Sequence, residues 1–399
     1  MKRCLFLVPL LLVVGLSTAA AQGEDDDSIY TGFIKKGPMT GNLDKLLNVN
    51  LFVAGRFSQI DNSGIDSALG RDDADSVGIP GARLYLTGQV HPDLSYKVAY
   101  EFSTENDLDP NDRNGRLTDA LLTWRMPIET DLLNRLDFNV GLAPIFLSPA
   151  GQEDLFFLDT IEHPLIVQNI LPPGTARDEG VFFKGSFLER DTIQMWGGIF
   201  NGAHRQIGAA GAFPPTSFAV DAWGSSPGTD VDPFAYMGRV QVNVLNEEDY
   251  FFMVSGGLSH NKVLDGPMRR KIDDTLLDLA TEVRFNDRLT WLKSEFIRTR
   301  THHADDMYGF HVTAGHRIDF ICEHLEVVAR WDQQKLNDHR SSVDDLWAAT
   351  FGVNYFFDPE HQHDGKFQLN WVMKETRNTD LARPFHGDTA LLFQFVMGF

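Results

Sequence analysis

The chain has 399 residues, with 35 Lys and Arg against 56 Asp and Glu and a formal net charge of −21. That acidic excess argues against a nucleic-acid partner. Two cysteines, Cys4 and Cys322, and no apolar run of helix-spanning length after the N-terminus exclude a disulfide scaffold and a helical membrane bundle.

In chain order, the first element is a leader. Lys2 and Arg3 precede the apolar stretch Leu5 to Leu16, and Ala19 and Ala21 give the small-x-small cleavage pattern. These predict a signal peptide over 1–21 with Gln22 as the first mature residue. The alternative, an uncleaved anchor, is disfavoured because the apolar stretch is too short to span a bilayer. Cys4 leaves with the leader, so the mature chain keeps Cys322 alone. Residues 22–47 then form a short periplasmic segment, with Asp25, Asp26 and Asp27 as a solvated stretch.

From residue 48 onward the dominant pattern is two-residue alternation in segments of about ten residues, with little helical periodicity. Leu94, Tyr96, Val98, Tyr100 and Phe102 alternate with Ser95, Lys97, Ala99, Glu101 and Ser103. Leu136, Phe138, Val140 and Leu142 alternate with Arg135, Asp137, Asn139 and Gly141. The same holds at Val240, Val242 and Val244, at Leu325 to Trp331, and at Phe367 to Met373. Sixteen strands are predicted, over 48–60, 80–90, 94–104, 117–126, 135–145, 180–189, 192–201, 234–245, 250–260, 276–285, 289–299, 307–318, 324–333, 346–357, 366–376 and 389–399.

A soluble sandwich also alternates, so the pattern alone leaves two architectures open. Connection lengths separate them. After odd strands they are long, and after even strands short, as at His91-Pro92-Asp93 and Arg190-Asp191. Short periplasmic turns and long extracellular loops belong to outer-membrane barrels. The expected fold is therefore all-β, a transmembrane antiparallel β-barrel over 48–399, wide enough for an aqueous channel. The final strand alternates through Leu391, Phe393, Phe395, Met397 and Phe399. Phe395, Met397 and Phe399 read as an assembly signal for the barrel-assembly machinery.

Several stretches together resemble the phosphate-selective porin O and P family. They are Leu51–Phe57 with Arg83–Tyr100, Val140–Pro149, Ala176-Arg177-Asp178-Glu179-Gly180-Val181, Gly197–Gly202 with Ile199-Phe200-Asn201-Gly202, Glu326–Asp332, Gly352–Phe356 and Gln368–Trp371. The likeness covers most of the mature chain and is diffuse. It implies a sixteen-stranded homotrimeric porin of the bacterial outer membrane, with loops folded into the lumen. The family's lumenal basic ladder cannot be matched residue by residue and is not carried over.

Placing each strand's apolar face outward puts Arg56, Arg83, Lys97, Arg125, Lys184, Arg239, Arg284, Arg298, Arg330 and Lys374 inside, with Glu101, Asp119, Asp137, Asp278, Glu282, Glu326 and Asp332. Two readings stay open: paired charges of both signs in a wet lumen, or an anion-selective wall, for which the family resemblance would imply phosphate among the anions. The connection 146–179 carries Phe156, Phe157, Ile166, Ile170 and Leu171 before Pro172-Pro173-Gly174. It is expected to fold inward and narrow the channel, or else to pack at the surface or a subunit contact. His361, His363 and Asp364 have metal-ligand chemistry, as do His302, His303, Asp305 and Asp306, but each group reads as a solvated turn or loop. No cofactor and no metal is expected. A Gly-x-Ser-x-Gly elbow and a phosphate-cradling loop are missing from the sequence, so no enzyme is expected; because barrel hydrolases exist, a barrel enzyme stays as the second class. The expected activity is passive diffusion of small ions and other hydrophilic solutes, with outer-membrane lipid and lipopolysaccharide as surroundings.

Overall fold

The computed structural model describes residues 47–62, 74–102, 116–128, 130, 132–171, 177–201, 234–247, 249–265, 270–285, 289–301, 306–319, 322–337, 343–359, 364–378 and 385–399. The predicted leader, the segment 22–46, and the histidines 302, 303, 361 and 363 lie outside the described residues.

Sixteen strands run in the order β1 (Asn48–Asn62), β2 (Ala74–His91), β3 (Leu94–Glu101), β4 (Arg116–Arg125), β5 (Leu133–Pro144), β6 (Arg177–Phe187), β7 (Ile193–Phe200) and β8 (Ala235–Asn246). They continue with β9 (Phe251–Asp265), β10 (Arg270–Phe285), β11 (Thr290–Thr301), β12 (Asp306–Arg317), β13 (Leu325–Asn337), β14 (Val343–Phe356), β15 (Gly365–Asn378) and β16 (Phe385–Gly398). Each strand pairs antiparallel with its chain neighbour, and β1 pairs β16 to close the barrel. The seam is completed by reciprocal backbone bonds between Leu51 and Phe399, at 3.1 and 2.9 Å. Closure leaves no unpaired edge, which hydrocarbon requires because it offers backbone groups no partner.

The outer face is apolar. Leu391, Phe393, Phe395 and Met397 point outward from β16, whereas Leu392, Gln394 and Val396 are buried on the opposite face. Trp331 stacks on Trp347 on the outside, centroids 5.0 Å apart, and Phe351 lies 6.2 Å from Trp371.

The rule of long odd connections holds for the first half of the barrel only. β9 and β10 are separated by four residues, β11 and β12 by four, and β13 and β14 by five. There the strands extend well past the predicted ends, to Asp265 and from Arg270, through polar sequence. Hydrogen bonding across a hairpin does not need an apolar face, so strands can outrun the alternation that marks their membrane portion.

Between β5 and β6 the chain enters the barrel. Two short helices, α1 (Pro149–Gln152) and α2 (Leu165–Ile170), and a 3-10 turn at Leu155–Phe157 shape this segment. Ser148 caps α1 by accepting the Gly151 amide at 2.7 Å, and Pro149 starts it. Two wall glycines give the segment its berths. A Cβ on Gly81 of β2 would stand 2.9 Å from the Phe156 ring, and one on Gly257 of β9 would stand 2.9 Å from the Leu147 carbonyl.

Candidate functional site

The segment from Ile145 to Leu171 is held by two kinds of contact. The first is apolar. Ile145, Phe146, Leu147, Ile166, Val167 and Leu171 pack with the inward side chains Trp196, Met237, Leu276 and Ile297. On the other side of the barrel Phe156 packs with Phe52, Tyr85, Ala99 and Val396. The second is electrostatic. Residues 145–171 contain four carboxylates, Glu153, Asp154, Asp159 and Glu162, and no Lys or Arg. All four meet cations of the wall. Lys293 Nζ lies 2.9 Å from Glu153 and 2.6 Å from Asp159. Lys374 reaches Glu162 at 3.1 Å. Arg83 and Tyr85 both donate to Asp154.

Backbone carbonyls of the segment take further donors. Lys366 Nζ and Gln368 Nε2 reach the Leu158 oxygen at 2.5 and 3.0 Å. Arg330 Nη1 donates to the Glu162 carbonyl at 2.5 Å, Asn354 Nδ2 to that of Asp159 at 2.8 Å, and Arg56 Nη2 to that of Ile161 at 3.3 Å. Arg239 Nη1 donates to the Phe146 carbonyl at 3.3 Å. The segment thus bridges strands from β1 and β2 through β8 to β15, and stands across the interior.

Burial and pairing fix its charge states. The Lys374 ammonium holds the Glu162 carboxyl down at about 2. Burial would raise Asp154, but Arg83 and Arg177 overcome it and keep it below the usual range. Glu153 and Asp159 share Lys293. Burial raises Glu153, while Asp159, though buried too, is drawn below its ordinary value by the lysine. Burial pushes His163, whose Nδ1 lies 3.2 Å from the Ala150 carbonyl, down to about 3.

Nine of the ten basic residues assigned inward from the sequence stand on the inner face. Most are paired with wall carboxylates. Arg83 reaches Glu101 at 2.9 Å, Lys97 reaches Asp119 at 2.7 Å, Arg125 reaches Asp137 at 3.5 Å, Arg284 reaches Glu282 at 2.6 Å, and Arg330 reaches Asp332 at 2.8 Å. Lys184 and Arg239 flank the Trp196 ring instead, at 5.5 and 4.8 Å from its centroid. In register, Arg125, Asp137, Lys184, Trp196 and Arg239 form one run across β4 to β8.

Arg298 is a correction. It is exposed on the outer face of β11, in the same orientation as Leu292. The parity error came from Ile297, which is fully buried and points inward against the docked segment. The same inversion hid Lys293, the residue that holds two of the four segment carboxylates. Arg135, Arg177 and Lys366 also belong to the inner face; Arg135 pairs with Asp137 at 2.6 Å and Arg177 with Asp119 at 2.8 Å.

No family model and no curated protein matches the chain. Solved structures do. An anion-selective porin from Comamonas acidovorans matches with a TM-score of 0.59 at 12% identity, over 88% of this chain and 99% of that one. The outer membrane channel DcaP of Acinetobacter baumannii matches with a TM-score of 0.58 at 11% identity, over 90% and 99%. OmpT of Vibrio cholerae, an outer membrane protein in its trimer form, matches with a TM-score of 0.52 at 10% identity, over 88% and 99%. At these identities the likeness is one of architecture: the chain has the closed sixteen-stranded barrel found in outer-membrane porins.

Proposed function

We propose that the chain is an outer-membrane porin that passes small hydrophilic solutes by passive diffusion. One observation carries this: an apolar outer face encloses an inner face of charged and amide side chains, with one segment standing across the interior. A lipid-facing exterior around a polar interior is the reverse of a soluble sandwich. The segment 145–171 narrows the passage, and its carboxylates share that passage with the wall cations.

The finer reading, a preference for anions and for phosphate among them, follows from the family resemblance. The run Arg125, Asp137, Lys184, Trp196, Arg239 supports it, since one carboxylate stands among three cations. The four segment carboxylates oppose it, because they occupy Arg83, Lys293 and Lys374. We therefore propose weak anion preference on a general diffusion pore, with export through the 1–21 leader and a trimeric assembly. Planar-bilayer conductance in asymmetric KCl, with and without phosphate, tests it. Ohmic channels with a small anion-favouring reversal potential are expected. A protein that inserts but conducts nothing, or that hydrolyses phospholipid or ester substrates in detergent, would overturn the reading in favour of a barrel enzyme.

A further inference from the structure

On the inner wall of β13 to β16 and β1, Glu326, Asn354, Gln368, Gln394 and Arg56 stand in direct register, one per strand. Each donates to the next. Arg56 Nε reaches the Gln394 amide oxygen at 3.1 Å, and Gln394 Nε2 reaches that of Gln368 at 3.4 Å. Gln368 Nε2 reaches that of Asn354 at 3.2 Å, and Asn354 Nδ2 reaches the Glu326 carboxylate at 3.0 Å. Trp291 Nε1 fixes the other oxygen of Glu326 at 3.0 Å. The row is thus joined from end to end within the wall, with no contribution from the docked segment.

A carboxamide has two N–H groups and a guanidinium five, so the row has donors to spare. These meet the backbone of the segment. Gln368 Nε2 reaches the Leu158 and Asp159 carbonyls at 3.0 and 3.3 Å, Asn354 Nδ2 that of Asp159 at 2.8 Å, and Arg56 Nη2 that of Ile161 at 3.3 Å. Lys366 and Arg330 add the Leu158 and Glu162 carbonyls. Among the described residues, 158–163 make no backbone-to-backbone hydrogen bond. A loop anchored in its own fold commonly satisfies its backbone with turns of its own, whereas this stretch leaves the task to side chains of the wall. The side chains of the stretch are read as well. Ile161 fills a socket of Val372, Leu392 and Ala390, Asp159 meets Lys293, and Glu162 meets Lys374. Main-chain hydrogen bonds together with pockets for individual side chains are the means by which a receptor holds a peptide.

We propose that this row binds the backbone of a short acidic peptide inside the channel, and that residues 158–162 are a built-in ligand which such a peptide displaces. The chemistry selected is a run of main-chain carbonyls, one branched apolar side chain, and a carboxylate on either side of it. A simple dicarboxylate would satisfy Lys293 and Lys374 but offer the row and the socket nothing. The inference rests on the porin reading, since the peptide must enter the barrel.

The test uses the full chain in planar bilayers and the capped peptide acetyl-Leu-Asp-Thr-Ile-Glu-amide, which copies residues 158–162. Reversible current events are expected, with an occupancy that saturates in the millimolar range or above, because a tethered competitor acts at an effective concentration on the order of millimolar. Glutarate, with two carboxylates and no peptide carbonyl, should give no such events at the same concentration. The same peptide with alanine in place of its isoleucine should need roughly tenfold more or beyond, as expected for emptying a buried socket. These arms need no variant. Ile161→Ala weakens the built-in ligand and leaves the wall intact, so this chain should respond to roughly tenfold less of the parent peptide. Equal responses of the two chains would overturn the proposal, since the peptide would then not compete with the segment. So would equal events with glutarate or with the alanine peptide, or a conducting channel that ignores the parent peptide in both chains. Conductance in salt alone, recorded before any peptide is added, reports the porin reading separately.

Discussion

Replacing Glu153, Asp154, Asp159 and Glu162 by Gln, Asn, Asn and Gln removes four negative charges from the barrel interior while keeping side-chain size. At roughly 10 Å from the passage and a dielectric near that of water, each unit charge contributes about 0.4 kcal/mol to the energy of a monovalent ion. Four together contribute about 1.7 kcal/mol, and screening at 0.01 M salt, with a Debye length near 30 Å, leaves about 1 kcal/mol. Lys293 and Lys374, whose segment partners have gone, add in the same direction, while Arg83 keeps Glu101. Anions should be enriched roughly fivefold or more in the passage. Reversal potentials in planar bilayers under a KCl gradient should therefore move toward the chloride limit at 0.01 M. At 1 M, where the Debye length is about 3 Å, the shift should shrink to little. Single-channel conductance at 1 M reports whether the segment has stayed docked. An unchanged reversal potential at low salt would refute the reasoning, since it would place these carboxylates outside the solute path.

Gly81→Leu drives a side chain into the space of the Phe156 ring, whose nearest carbon is 2.9 Å from the ideal Cβ. Overpacking of this kind costs about 1–3 kcal/mol, so the segment should loosen and single-channel conductance should rise. Acid should loosen it too. His163 is neutral when docked down to about pH 3, whereas a free imidazole protonates near 6.5, so docking weakens steadily as pH falls from 6.5 toward 3. At pH 5 the loss is about 2 kcal/mol, seen as more or larger open states, and His163→Gln should remove the slope between pH 6.5 and 5. Glu162 adds a second loss as pH falls from its ordinary 4.5 toward 2. Deleting Phe399 removes both backbone bonds to Leu51 at the seam and should lower the yield of heat-resistant folded barrel on a gel. In a Cys322→Ser background, a cysteine in the 63–73 connection should label on intact cells and one at Arg190 should not.

Strand number and order were legible because lipid imposes one rule on every strand, apolar out and polar in, and closure imposes an even count. The rule failed where the inner face meets the docked segment. Phe52, Leu276, Ile297, Val372 and Leu392 are apolar and point inward, since the segment gives them an apolar partner inside the barrel. On β11 this was enough to invert the assignment, exchanging Lys293 for Arg298. The clue lay in the sequence as two adjacent apolar residues, Phe296 and Ile297, which cannot both face lipid on one strand. The inward course of the segment was legible from its apolar content. Its partners were not, because contacts such as Lys374 to Glu162 join residues 212 apart, and no local pattern records them.

The segment's composition and the wall's composition make sense only together. A run of 27 residues with four carboxylates and no fixed cation would repel itself in a lumen of its own sign, and would be poorly held by apolar contacts alone. Against a wall that offers Arg83, Lys293 and Lys374, each carboxylate gains a partner as it loses water. Removing one member of such a pair strands the other, which is costly where water is scarce. The same wall cations therefore cannot serve fully as solute ligands while the segment is docked. Lys184 differs, since it lies over the Trp196 ring and meets no carboxylate of the segment, whereas Arg239 on the other side of that ring is buried and held by the Phe146 carbonyl. Any anion preference of the docked channel should thus reside at Lys184 on β6, and Lys184→Gln should reduce it more than Lys293→Gln, whose first effect is to free two carboxylates.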